Sequence, residues 1–224
     1  MRFEEAAARL ARLPDRGAGL RAGERLPPGP VALMPVFTDG RPRTELRLGE
    51  VPGDRPAAVL VLVVPAPDGS ASVILTERAR YEGMHSGEVS FPGGKVEPGD
   101  ASLEATALRE ATEEVGLDPV AAEVELVGRL DPLRIPVSRF SITPVVAIAR
   151  RPPALLGSAA EVARILWAPL EAFLPEAPLE MVERQVRDWP LRYGGYRIED
   201  LHVWGATARI LGQLGALVAE LGER

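Results

Sequence analysis

Cysteine is absent from all 224 residues, which removes disulfides, thiolate zinc sites and cysteine nucleophiles together. Histidine occurs only as His85 and His202, so proton transfer and metal binding fall mainly to carboxylates. No apolar run approaches the length of a membrane span, and the first residues, MRFEEAAARLARL, carry acids where an export signal is basic and then apolar. No membrane partner is expected, and the cytoplasm is the default compartment. A formal net charge of -6 opposes broad attraction to nucleic acid or an anionic surface. A small anionic ligand would need a local cationic device.

Hydrophobic residues make up 46% and charged residues 26%, close to the globular average. The length suits one domain with an added arm. Phe3, Ala6, Ala7, Leu10 and Leu13 recur at helical spacing, which predicts an amphipathic helix stopped at Pro14. The following stretch, with RLPPGP and DGRPRTELRLGEVPGDRP, is rich in proline, glycine and charge and reads as an extended arm of short strands and turns. Residues 1–56 are therefore expected to form an N-terminal helix and arm, and residues 57–224 the main domain. Homodimerisation through the first helix or the arm is compatible with this layout.

AAVLVLVV, residues 57–64, predicts a strand buried on both faces, and ASVILTER, 71–78, a second one across a PAPDG turn. Residues 79–90 lack a regular period and contain Gly83 and Gly87, as expected of a surface loop able to approach a ligand. AEVELVGRL, ITPVVAIA and ARILWAPL predict further strands, LEAFL a short helix, YRIEDLHVW a last strand or connector, and residues 205–221 a closing helix. The elements alternate without a regular strand-helix-strand rhythm. A mixed sheet covered by helices is the expected α/β fold.

The segment FPGGKVEPGDASLEATALREATEEVGL, residues 91–117, predicts a helix opening near Asp100, with that carboxylate as cap and Gly116 as a left-handed terminator. At about 100° per residue, Glu110, Glu113 and Glu114 share one arc, while Leu108, Ala111 and Val115 share another. The reading is a helix packed on one side with carboxylates on the other. Like charges at these spacings cost roughly 0.2 to 0.5 kcal/mol per pair, and no lysine is interleaved. A hard divalent cation would supply the missing charge; a solvated acidic face is the competing reading. Arg109 is expected to orient one glutamate through a bidentate pair. The preceding glycine pair lets backbone approach an ion or phosphate, although an ordinary tight turn is the commoner use.

GGKVEPGDASLEATALREATEEVGL closely resembles the signature of the Nudix hydrolases, and REATEEVGL fits it without change. The spacing from the second glycine to Arg109 is one residue longer than usual, and Asp100 stands where a glutamate is typical. The coenzyme A pyrophosphatases of that family share this longer spacing and an upstream motif, which ILTERARYEGMHSGEVSFPGG resembles except that Gly83 replaces an arginine. The likeness covers most of residues 57–215. It implies a Nudix-type α/β/α sandwich around a mixed β-sheet.

The resemblance also implies metal-dependent hydrolysis of a nucleoside diphosphate derivative, with Mg2+ or Mn2+ as cofactor and a coenzyme A-like small molecule as substrate. Glu113 and Glu114 are then the chief metal ligands, with Glu110 and the carbonyl of Gly93 beside them. Glu110 and Glu161 are the two candidates for the base that deprotonates water, and Arg109 completes the catalytic group. Arg78 and Arg80, leading into the glycine loop, are expected to meet substrate phosphate, with Gly87, Gly93 and Gly94 giving the backbone room. Trp204 is read as packing.

Overall fold

The computed structural model describes residues 1–13, 26–41, 54–79, 87–135, 139–186 and 189–223. In chain order these form α1 (Phe3–Leu10), a single 3-10 turn (Val31–Leu33), β1 (Val36–Phe37), β2 (Arg55–Pro65), β3 (Ala71–Arg78), β4 (Val89–Ser90) and β5 (Gly93–Lys95). Then come α2 (Leu103–Val115), β6 (Val124–Arg129), β7 (Leu133–Ile135), β8 (Phe140–Ala149) and β9 (Val162–Pro169), followed by a 3-10 turn (Leu170–Phe173). A ribbon of β10 (Glu180–Val186), β11 (Trp189–Ile198) and β12 (Leu201–Val203) leads into α3 (Gly205–Glu223).

The main sheet is mixed. β2 lies parallel to β8, while β3, β4, β5, β6, β7 and β9 join by antiparallel pairings. The hairpin expected from β2 and β3 is short: it pairs Pro65 with Ala71 next to the turn and runs out after Val63 and Val73. Lower down, β5 occupies the edge of β2, and β3 swings away to pair along its length with β9. The split follows from the glycine pair. At Gly93, which has φ of 156°, a Cβ would lie 2.5 Å from the Ala58 carbonyl oxygen, so only glycine lets β5 come this close. The pair thus builds a strand, where a tight turn is its commoner use.

The continuous apolar run of β2 reflects cover on both faces. Ala58, Leu60, Leu62 and Val64 pack with Ala107, Ala111 and Val115 of α2. Val61 and Val63 pack on the other side with Leu211 and Leu214 of α3 and with Leu10 of α1. Alternate side chains of a strand point to opposite faces, so a strand between two helical layers has no polar face to show. The architecture is the α/β/α sandwich.

The helix expected over the first dozen residues ends at Leu10, although Leu13 is still buried. Its start is held to the β2–β3 turn, where the Phe3 N–H donates to the Gly69 carbonyl at 3.0 Å. Arg9 and Arg12 donate to the carbonyls of Val218 and Leu221, satisfying acceptors near the end of α3. YRIEDLHVW is a hairpin: β11 and β12 pair through Ile198 and Leu201, with Glu199 at φ of 52° in the turn. No helix among the described residues is long and apolar enough to cross a membrane.

Candidate active site

The acidic helix does not start where its sequence suggests. Ser102 is the cap, its Oγ accepting from the Ala105 N–H at 3.2 Å, and Asp100 lies outside the helix. From there the Asp100 carboxylate turns back over α2. It accepts from the Glu97 N–H at 2.8 Å, from Thr106 Oγ1 at 2.9 Å, and from Arg109 through both oxygens at 3.0 and 3.1 Å. These hydrogen bonds, that of Arg109 first, hold its carboxyl below the ordinary range. Gly116 ends the helix in the left-handed conformation, with φ of 65°.

The bidentate partner of Arg109 is therefore Asp100 and not a glutamate. The remaining nitrogen, Nη1, touches Glu110 at 3.0 Å and Glu113 at 3.1 Å, and Nη2, which also holds Asp100, donates to the Lys95 carbonyl at 3.2 Å. Part of the positive charge that the acidic turn needs thus comes from within the turn itself. The guanidinium is over-supplied with anions, and its pKa is raised accordingly.

A second correction concerns the faces of α2. Glu114 is 5% exposed and sits among the packed residues, whereas the Glu113 side chain is 59% exposed. The helix does not present all its carboxylates to solvent. Glu114 lies under β5, where its Oε2 accepts from the Gly93 N–H at 3.2 Å. A Cβ on Gly94 would collide with the Glu110 carboxylate, so the second glycine is open because an acid fills the space. Burial pushes the Glu114 carboxyl up to about 7, and burial likewise raises Glu110. The charge of Glu161 adds to both shifts, so these three acids share one electrostatic neighbourhood.

Glu161 reaches this place from β9 through a loop docked on the end of α2. The Leu156 N–H donates to the Val115 carbonyl at 2.9 Å and the Ser158 N–H to the Glu114 carbonyl at 2.7 Å. The Glu161 carbonyl accepts from the Ala79 N–H at 2.8 Å, which ties the loop to the end of β3. Arg78, one residue earlier, is the cation whose charge offsets part of the rise at Glu114. Its Nε is buried and has no hydrogen-bond partner among the described residues. Gly87 leads into β4 at φ of 70°. Arg80, Gly83 and His85 lie outside the described residues.

Glu110, Glu114, Glu161, Arg78, Gly93 and Gly94 thus converge, with Arg109 one layer out and Glu113 at the surface. Among the described residues, no three acidic or histidine side chains are gathered into a ready cation cage. The donor chemistry nevertheless fits a hard divalent cation. A buried and a half-buried carboxylate that repel one another beside open backbone favour such an ion over a soft metal, for which cysteine would be needed. Asp100 as the anchor of Arg109, and the Leu156–Ser158 dock, escaped the sequence reading. The lengthened spacing before Arg109, and the aspartate at position 100 where a glutamate is typical, were the visible hints of the first.

A family profile described as NUDIX domain matches residues 54–189, the stretch that holds all of these groups. The chain belongs to the NUDIX domain family. It is 38% identical over 161 residues to Nudix hydrolase 15, mitochondrial, of Arabidopsis thaliana, covering 69% of this chain and 55% of that protein. The chain thus spans about half the length of that curated relative. It is 42% identical over 172 residues to an uncharacterized Nudix hydrolase, NudL, of Salmonella paratyphi B, covering 74% of this chain and 83% of that one. Among solved structures it is similar to the Nudix hydrolase RenU of M. smegmatis, with a TM-score of 0.45 and 20% identity over 84% of this chain and 91% of that one. Membership places the chain among hydrolases that act on pyrophosphate bonds.

Proposed function

We propose that the chain hydrolyses the diphosphate bond of coenzyme A or an acyl-coenzyme A, giving 3′,5′-ADP and 4′-phosphopantetheine or its acyl form. The observation that carries the reading is the seating of Glu114 against Gly93 and of Glu110 against Gly94, with the charges of Glu161 and Arg78 close enough to act on Glu114. Phosphoryl transfer asks little covalent work of a protein; it asks for position and charge neutralisation. Glu110, Glu114 and the Gly93 carbonyl would hold Mg2+ or Mn2+, with Glu113 reaching in from the helix surface. Bound there, the ion would neutralise charge on the phosphate oxygens as it develops.

The remaining work belongs to this chain. Arg78, its Nε without a described partner, donates to substrate phosphate. Glu161, or Glu110, takes the proton from the attacking water. Arg109, braced by Asp100 and the Lys95 carbonyl, keeps Glu110 turned toward Gly94. Arg80 contributes a second phosphate donor at the start of the glycine loop, and Gly87 gives that loop its turn. The cytoplasm is the setting in which we place this activity, with a homodimer as its assembly; the apolar face of α1 is buried within the chain's own core, which leaves the arm for that contact.

A second reading stays within the family. Gly83 stands where the coenzyme A motif has arginine, which favours ADP-ribose, NADH or another nucleoside diphosphate derivative. Comparing turnover of coenzyme A, dephospho-coenzyme A and NADH with Mg2+ separates the two. A drop of roughly tenfold or more in kcat/KM on loss of the 3′-phosphate supports the coenzyme A reading, since that ratio corresponds to about 1.4 kcal/mol of lost contact. Equal turnover of all three overturns it. A protein that binds nucleotide but cleaves none of these would be a sensor on the same scaffold.

A further inference from the structure

We propose that Gly157 is a positioning residue for Glu161: the missing side chain is what lets the loop before β9 dock on the end of α2 and deliver that acid beside Glu114. The inference rests on the reading of Glu161 as a working group of the site, and it adds a residue that no motif points to.

The geometry is a three-point hold. Leu156 and Ser158 hook onto the Val115 and Glu114 carbonyls on either side of Gly157, and Ala79 holds the Glu161 carbonyl from β3. Between these anchors the loop passes over the first residue of β9. A Cβ on Gly157 would stand 2.9 Å from Val162 Cγ1 and 3.1 Å from Val162 Cβ. Val162 is buried, β-branched and held in the β9–β3 ladder against Arg78, so it has little freedom to step aside. Two responses are open. Either the loop lifts from the helix end, breaking the Ser158 bond, or Val162 moves and carries its neighbour Glu161 with it, straining the Ala79 bond. Both move Glu161 relative to Glu114, and a misplacement of about 1 Å at a reacting centre can cost on the order of a hundredfold in rate. Backbone strain is not the reason for the glycine, since Gly157 is absent from the positive-φ residues among those described.

The test is Gly157→Ala, with Gly157→Ala/Val162→Ala as rescue and Glu161→Gln as reference, all in the full chain with Mg2+ and coenzyme A. The expected result is a kcat about tenfold lower or more, with KM changed less than about twofold. Amide hydrogen exchange should become faster at Ser158 or Ala79, and the double variant, which removes the nearer contact, should regain part of the lost kcat. A purely structural role for Gly157 would lower thermal stability without this division between kcat and KM. Unchanged kcat in Gly157→Ala, with both amides exchanging as in the unmodified protein and Glu161→Gln inactive, overturns the positioning role alone. Full turnover by Glu161→Gln overturns the reading of Glu161 and the proposal with it.

Discussion

At the scale of single residues, Glu114 is a group whose burial opposes its charge inside the site. Its carboxyl is raised from an ordinary 4.5 to about 7 by burial, with the charges of Glu161 and Glu110 adding to the shift. A folded pKa above the unfolded one means that folding favours the protonated acid. This contribution is therefore intact below about pH 4.5 and is lost as pH rises through about 7. The difference amounts to about 3 kcal/mol at most. Glutamine mimics the neutral acid and can still accept from the Gly93 N–H. Glu114→Gln is thus expected to stabilise the metal-free protein by up to about 3 kcal/mol near pH 8 and by little near pH 4, in denaturant titrations at both pH values. The same variant is expected to lose diphosphate cleavage and any stabilisation by added Mg2+. A variant less stable than the unmodified protein at both pH values would show that Glu114 is held by hydrogen bonds and not opposed by its burial.

Among the elements, α2 shows a serine taking the cap that was expected of Asp100, and the aspartate bracing Arg109 in its place. Ser102 satisfies the helix start, which leaves Asp100 free to brace Arg109. Ser102→Ala is expected to cost about 1 kcal/mol of stability while leaving kcat within about twofold, because it removes the cap and spares the brace. Asp100→Asn should do the reverse, lowering kcat more than stability; denaturation curves and steady-state kinetics on the pair decide it. A large loss of activity in Ser102→Ala would mean that cap and site are one unit. Much of this was legible in advance. The apolar runs of β2, β3, β8 and β9 and the left-handed stop at Gly116 are written in side-chain pattern. The neighbourhood of Glu161 was not, because the distance from α2 to β9 along the chain carries no local signal. Strand β10 and the first part of β11, which holds Pro190, Gly194 and Gly195, also went unread; only YRI, the end of β11, was read as a last strand or connector. In the structure the glycines serve close packing: a Cβ on Gly194 would lie 2.9 Å from the Ala32 carbonyl oxygen, and one on Gly195 2.5 Å from the Val203 carbonyl oxygen. Trp204, read as packing, stacks on Tyr193 of that ribbon at 4.9 Å between ring centroids.

For the whole molecule, the question is whether the first helix is an appendage of the catalytic fold or part of it. The family profile begins at residue 54, well after α1. Yet Phe3, Ala6, Ala7 and Leu10 belong to the same buried cluster as Val61 and Val63 of β2 and Leu211, Leu214 and Val218 of α3. Arg9 and Arg12 satisfy carbonyls near the end of α3, and the N-terminal ammonium pairs with Glu171 at 2.7 Å after β9. A helix that only decorated the surface would not leave Leu10 fully buried between α3 and the sheet. Truncating a buried leucine costs about 2 to 5 kcal/mol, the transfer free energy of the lost atoms plus the cavity they leave. If α1 folds with the rest, Leu10→Ala lowers the unfolding free energy of one cooperative transition by that amount, read as a lower midpoint at an unchanged denaturant slope. If α1 is separate, the variant leaves the main transition where it was and adds a weak early phase seen by far-ultraviolet circular dichroism. The first outcome is expected, because α3 is the layer behind the β2 face opposite the acids, and α1 is what closes that layer at its far end.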